Sequence, residues 1–293
     1  MNGRFSYFNS ESLTETLDFL DKMAKQSRRV HPIAGGTGIL VDIRQGIVEP
    51  EYLVDVGFIP ELKQIEIANG TVNLGAAVTL NEVTQSPVLK EHCSFLVEAA
   101  QSIGSPQIRN RATVGGNIVS ASPAADMVPP LIALGAEVIL QRKGSARAIL
   151  LEHFMKGLKL TDRKNDEILT LIKFQGVAEG QRGIFYKLGK RRSLAVSVIN
   201  LAIVGTLFKG DSNLEDIRIV VGAVAPTAIR MREAEKILLT GPISKERIAE
   251  AAEAASATSK PISDIRGSEG YRQSMVKFVL MEQLSKLLIS SKN

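Results

Sequence analysis

Apolar residues at Leu13, Leu17 and Leu20 recur at spacings of four and three, which predicts a helix with one buried stripe and Ser10 as its N-cap. Val30 to Ala34 is a short extended run that enters a glycine loop directly, and Tyr52 to Val56 reads as another strand. Between Gln64 and Gly75, Ile65 and Ile67 face Val72 and Leu74 across Asn69-Gly70, the pattern of a two-residue hairpin. Leu80 to Gln85 and Leu89 to Ile103 are helical by period, and Gly104-Ser105-Pro106 stops the second. A short helix over Met127 to Leu134 precedes strands at Glu137 to Leu140, Ala146 to Leu150 and Glu167 to Phe174, the first two turning around Lys143-Gly144.

The pattern changes character near residue 178. Three strands, Gly183 to Leu188, Ser197 to Phe208 and Ile217 to Gly222, are followed by helices at Arg232 to Leu239, Lys245 to Ala255 and Gly270 to Leu288. Strands cluster and helices stand apart from them, so the expected class is α+β, with one domain over 1–177 and a second over 178–293 carrying a three-stranded antiparallel sheet and helices. No repeat of fixed period is present.

Composition narrows the function classes. A chain of 293 residues with 44% hydrophobic and 23% charged residues has ample core and no disorder signature. The net charge of +5 fits an anionic ligand or a nucleic-acid surface, but an aromatic fraction of 5% without tryptophan argues against a base-stacking platform. Cys93 is the only cysteine, so this chain alone builds neither a disulfide nor an iron–sulfur cluster. The start at Met1-Asn2-Gly3-Arg4 lacks an apolar signal region and no run is long enough to span a bilayer, which together predict a cytoplasmic protein.

Two glycine-centred segments carry the candidate chemistry: Ala34-Gly35-Gly36-Thr37-Gly38 and Thr113-Val114-Gly115-Gly116-Asn117. Glycine accepts positive φ and brings its N–H close to a ligand, so Gly-Gly pairs can form nests of donors for phosphate oxygens, with Thr37 and Thr113 adding hydroxyls. Either pair alone is better explained as a tight turn. The longer string from Ile108 through Asn117, Ser122 and Asp126 is more than a turn requires.

At this string the chain resembles the FAD-binding subunit of the molybdenum hydroxylases, the family of xanthine dehydrogenase and aerobic carbon monoxide dehydrogenase. The resemblance runs from the first helix through both loops and Tyr186-Lys187-Leu188-Gly189-Lys190-Arg191-Arg192 into the C-terminal part. It implies a two-subdomain FAD-binding fold of the PCMH, vanillyl-alcohol-oxidase-like type, with subdomains of about 1–57 and 58–177, and noncovalent FAD. Pro32, Ile33, Ala34, Gly35, Gly36, Thr37, Gly38 and Ile39 then face the pyrophosphate together with Thr113, Gly115, Gly116 and Asn117. Ile103 matches a position near the flavin ring, Leu169 one whose backbone meets the isoalloxazine or adenine end, and Lys187 a lysine that approaches the flavin. Ser122 and Asp126 follow in the same string, with the Asp126 carboxylate accepting a ribose or ribityl hydroxyl. Relatives carry a polar side chain where this chain has Gly38, a departure that loosens FAD. The implied partners are an iron–sulfur small subunit and a molybdenum-cofactor large subunit, with NAD, a quinone or oxygen as acceptor; no acid or base of this chain is catalytic and no metal site is expected.

On the residues alone, several readings stay open beside this one. Asp126 could cap the helix that follows it, Leu169 could be an ordinary strand residue, and Lys187 a solvated lysine in a basic run. His92 and His153 read as surface or packing residues, and Cys93 as a small apolar filler. A stand-alone FAD reductase of the same wider fold, or a non-redox anion or nucleic-acid module using Arg109, Arg111 and the Lys187 to Arg192 run, are the alternative functions. Neither a Gly-x-Gly-x-x-Gly fingerprint after a strand nor a Gly-Lys-Ser/Thr phosphate loop occurs. Replacing Gly116 with glutamate places bulk and negative charge at the second loop; Gly116→Glu is expected to abolish FAD retention, read as the flavin-to-protein ratio after gel filtration.

Overall fold

The computed structural model describes residues 5–178, 180–191, 194–207 and 213–290. Its first unit is a three-stranded parallel sheet in the order β1-β3-β2, formed by β1 (Ser6–Asn9), β2 (Val30–Ile33) and β3 (Tyr52–Asp55), with helices α1 (Leu13–Lys25) and α2 (Ile39–Arg44) in the crossovers. Pro32 cannot donate to a ladder, and β2 is accordingly an edge strand. The cap of α1 is Ser12, whose hydroxyl accepts from the Glu15 N–H, and not Ser10. Ser10 is buried instead, donating to the Ser12 carbonyl and accepting from the Thr16 hydroxyl. Leu20 and Met23 pack beneath Val30, Val54, Ile59 and Leu62, while Phe8 stacks on Phe19 at 4.1 Å.

The second unit is a five-stranded antiparallel sheet, β4-β5-β10-β6-β7, from β4 (Ile65–Ala68), β5 (Thr71–Gly75), β6 (Glu137–Arg142), β7 (Ser145–Leu150) and β10 (Ile168–Gln175). The expected hairpin is present, with Asn69 and Gly70 both at positive φ as its turn demands. Short helices lie between β5 and β6: α3 (Leu80–Gln85), α4 (Pro87–His92), α5 (Ser94–Gln101), α6 (Pro106–Arg109), α7 (Val114–Val119) and α8 (Val128–Ala133). The single helix expected over Leu89 to Ile103 is broken at Cys93, because the His92 carbonyl accepts from the Val177 N–H on another segment. After β7 come α9 (Leu151–Phe154) and a small hairpin of β8 (Met155–Gly157) and β9 (Leu160–Thr161).

The third unit is an antiparallel sheet, β11 (Gln181–Gly189), β12 (Ser197–Leu207), β13 (Leu214–Gly222) and β14 (Ile229–Arg230). The three expected strands are joined by the two-residue β14 at the edge; Phe208, the expected end of β12, lies outside the described residues, as does Arg192. Helices α10 (Arg232–Leu239), α11 (Lys245–Thr258) and α12 (Glu269–Ser290) cover one face through Ile199, Leu201 and Ile203. The other face, through Ala202, Val204 and Val220, merges with the core of the second unit around α5 and α8. Burial on both faces explains why β12 reads as an almost unbroken apolar run. Asn200 interrupts that run on the face turned toward α8.

Among the described residues, no helix is long and apolar enough to cross a membrane. The C-terminal helix is tied down by Arg272, 1% exposed, which donates to the Ala223 carbonyl at 3.0 Å and pairs with Asp264. A hydrogen bond from Arg266 holds the Asp264 carboxyl far below its ordinary value of 3.8; Arg272 adds to this, against the cost of burial. Asp264→Ala is expected to cost about 3 kcal/mol in chemical denaturation at pH 7, since it leaves Arg272 buried without its carboxylate. A depressed carboxyl contributes fully above its ordinary range and loses that contribution as pH falls, so the gap between native and variant chains should close in acid.

Candidate functional site

The first glycine loop leaves the edge strand β2 and enters α2. Gly36 has φ of +74°, and its carbonyl accepts from Leu40 while the Gly38 carbonyl accepts from Val41 and Asp42. The carbonyls thus turn into the helix. The amide groups of Gly35, Gly36, Thr37 and Gly38 take no acceptor among the described residues. Asp55 braces the loop from behind: its carboxylate accepts from the Gly57 N–H at 2.8 Å and from the Tyr7 hydroxyl, and Gly57 abuts Ala34. That bond, with burial and the Asp55 charge, pushes the Tyr7 hydroxyl up to about 12.

The second loop is built differently from the expectation of a matching nest. Thr113 is the N-cap of α7, and Gly115 and Gly116 lie in its first turn. The Gly116 N–H donates to the Thr113 hydroxyl at 3.0 Å and the Gly115 N–H to the Ala76 carbonyl at 2.9 Å, so both amides have partners in the chain. A side chain at Gly115 would meet Ala76 atoms at 2.7 Å, which makes this glycine a packing requirement. The loops touch each other: a Cβ on Gly35 would lie 1.7 Å from the Arg111 carbonyl oxygen. Leu80 donates to the Ala112 carbonyl and Val114 to the Val78 carbonyl, which fixes this stretch against the second unit.

The remaining predicted residues are tied to this junction. Leu169 is buried in β10 beside a register shift, and Ile168 next to it belongs to the core of the first unit. Ile103 is half-buried, its carbonyl accepting from Arg109 Nη1 at 3.1 Å. Ser122 forms a local turn, its hydroxyl accepting from Ala124. Asn117 Oδ1 accepts from the Met127 N–H, so neither Asp126 nor any other side chain is an N-cap of α8. Asp126 is 5% exposed: Oδ2 accepts from Lys187 Nζ at 2.7 Å, and Oδ1 from Ser197 Oγ at 2.5 Å and Asn200 Nδ2 at 2.6 Å. Three of its roughly four acceptor positions are therefore taken inside the protein, rather than left open for a ligand hydroxyl. Lys187, its side chain 12% exposed, also donates to the Ser102 carbonyl at 2.9 Å and is no solvated surface lysine.

Comparison with known proteins decides the family. Residues 3–174 match the family described as FAD binding domain in molybdopterin dehydrogenase, and 184–287 the CO dehydrogenase flavoprotein C-terminal domain. The chain belongs to the molybdenum hydroxylase family as an FAD-binding subunit. It is 30% identical to the glyceraldehyde dehydrogenase medium chain of Sulfolobus acidocaldarius, over 95% of this chain and 96% of that one. It is 31% identical to the carbon monoxide dehydrogenase medium chain of Hydrogenophaga pseudoflava, over 93% of each. Among solved structures, carbon monoxide dehydrogenase from the same organism superposes with a TM-score of 0.89 at 30% identity, covering 95% of each chain. Quinoline 2-oxidoreductase from Pseudomonas putida gives 0.90 at 26% identity, covering 99% of each.

The flavin subunit has residues that fit its cofactor. A pyrophosphate needs several donors, and the first loop holds four amides without acceptors among the described residues. Arg109 adds a buried Nε that has no partner, although its Nη1 is committed to the carbonyls of Ile103 and Gly104. Two cavities, of 690 Å³ and 380 Å³, lie elsewhere, lined by Thr71, Lys173 and Arg218 and by Phe95, Arg182 and Gly183, and include no residue of either loop. His31 stands in β2, where burial, with the Arg163 and Arg29 charges, pushes its imidazole below its ordinary value. Burial pushes the Cys93 thiol up to about 11, as an inert filler requires.

Sequence reading missed Ser197, Asn200 and the Tyr7–Asp55 brace. An isolated asparagine in an apolar strand was the available signal for the first pair, since a buried amide demands a partner. The loop contact makes two opposed predictions for FAD titrations followed by flavin fluorescence. Gly35→Ala should weaken binding at least tenfold by forcing the loops apart, whereas Gly38→Ser should bind as well or more tightly, because nothing lies within 4 Å of the space its Cβ would enter.

Proposed function

We propose that this flavin subunit takes electrons from an iron–sulfur partner, which receives them from a molybdenum-cofactor subunit, and passes them to NAD, a quinone or oxygen. The observation that carries this reading is a donor-lined loop in a chain whose one cysteine, Cys93, is fully buried. The loop offers a place for the flavin, and a single cysteine cannot hold a cluster, so in this reading the cluster is held outside these 293 residues. The relatives named as medium chains, and one named as a complex subunit, support the same division. In this reading the protein divides near residue 178 and works in the cytoplasm.

FAD, when bound, supplies the electron transfer, and the chain supplies placement and electrostatics. Within Pro32 to Ile39, the amides of Gly35, Gly36, Thr37 and Gly38 hold the pyrophosphate, while Pro32, which has no N–H, and Ile33, Ala34 and Ile39 shape the loop around them. Thr113, Gly115, Gly116 and Asn117 form the opposing wall. Ile103 and Leu169 line the ring or adenine end, Ser122 shapes the turn beyond, and Asp126 acts through Lys187, whose ammonium favours the negative charge of reduced flavin. The burial of Lys187 also weighs against the basic-patch alternative, because its ammonium is turned into the protein and away from the surface along which a nucleic-acid backbone would lie.

Mixing the FAD-loaded chain with a reduced iron–sulfur partner should bleach the flavin absorption in stopped flow. A flavin reduced at full rate by NADPH with no partner chain present would overturn the proposal in favour of a stand-alone reductase.

A further inference from the structure

Strand β12 packs one face against the second unit through Ala202 and Val204, and on that face it carries the polar side chain of Asn200. Asn200 is fully buried, and its Nδ2 donates to Asp126 Oδ1. Ser197, at the start of the same strand and equally buried, donates to the same oxygen. Space for Asn200 is provided by its partner across the ladder, Gly222, where a Cβ would stand 2.1 Å from Asn200 Oδ1. A side chain of any size there would expel the amide, so the fold keeps this contact open at the cost of a glycine in a central strand. Arg266 Nη1 secures the strand end through the Ser197 carbonyl.

The Ser197 and Asn200 side-chain bonds converge on one oxygen of Asp126, leaving the other to Lys187. An ammonium has three N–H donors. In Lys187, two are taken by Asp126 Oδ2 and the Ser102 carbonyl, and the third takes no acceptor among the described residues. Ser102 is the residue before Ile103, so the ammonium is anchored from both sides at the ring-facing segment.

We propose that Ser197 and Asn200 are positioning residues that set the flavin's redox potential from the C-terminal domain, by fixing Asp126 and through it the Lys187 ammonium. This rests on the reading that Lys187 stands beside the flavin. The two donors partly neutralise the carboxylate and hold its orientation. Removing either one lets the carboxylate turn and loosens the cation it holds, which disfavours the anionic reduced flavin.

The test is the midpoint potential of FAD bound to the full chain, measured by spectroelectrochemistry, alongside FAD affinity. Ser197→Ala and Asn200→Ala should each weaken reduced relative to oxidised flavin about tenfold, about 30 mV for a two-electron couple. Lys187→Met should lower the potential at least as far, and adding Ser197→Ala to it should change the potential no further. A lost melting temperature with an unchanged potential in Ser197→Ala and Asn200→Ala, while Lys187→Met still shifts it, would overturn the positioning role alone. An equal shift from Ser197→Ala in the native and Lys187→Met backgrounds would do the same. If Lys187→Met altered neither potential nor FAD affinity, the placement of Lys187 at the flavin would fail, and this proposal with it.

Discussion

Everything about the candidate site depends on how closely the backbone at Gly35 approaches the backbone at Arg111. No side chain fits between them, so the parallel unit and the antiparallel unit meet through bare main chain. That contact brings a loop with open amides beside the cap of α7. It also explains why a glycine is needed at a position whose own φ is not left-handed, a requirement separate from that of Gly36. The brace from Tyr7 and Asp55 behind Gly57 and Ala34 serves the same contact from the opposite side.

The two Gly-Gly pairs look alike in sequence but do different work. In the first, the Gly36 carbonyl bonds into α2 and both amides take no acceptor among the described residues. In the second, the amides bond to Ala76 and Thr113, and the pair's small size lets α7 sit tightly on the second unit. In the proposed function, anion recognition therefore falls to the first loop, while the second is held in a fixed position by its own bonds. Asp126 and Lys187 form a buried pair, and the second Asp126 oxygen accepts from Ser197 and Asn200 of the C-terminal sheet, so this polar cluster joins the second and third units.

Much of the fold was legible because long periodic segments dominate it. The Asn69-Gly70 hairpin, the strands of the C-terminal sheet and the amphipathic α10 follow directly from apolar spacing. The elements that were not legible are short and lie where tertiary contacts outweigh propensity. Helix α7 carries two glycines and exists because Thr113 caps it and Ala76 receives it; α4 and α5 separate at Cys93 because a distant amide claims the His92 carbonyl. The loops were visible as motifs, but their contact was not, since nothing local to Gly35 names Arg111 as its neighbour. The partners of Asp126 were hidden for the same reason: Ser197 and Asn200 lie over seventy residues away in a strand that reads as plain core.

Amide hydrogen exchange, resolved by residue and followed with and without FAD, tests the division between the loops most directly. The account predicts that Gly35, Gly36, Thr37 and Gly38 exchange freely without FAD and become protected when it binds, while Gly115 is protected in both states by its bond to Ala76. Unchanged exchange at Gly35 to Gly38 on FAD binding, or protection that appears only at Gly115 and Gly116, would contradict it.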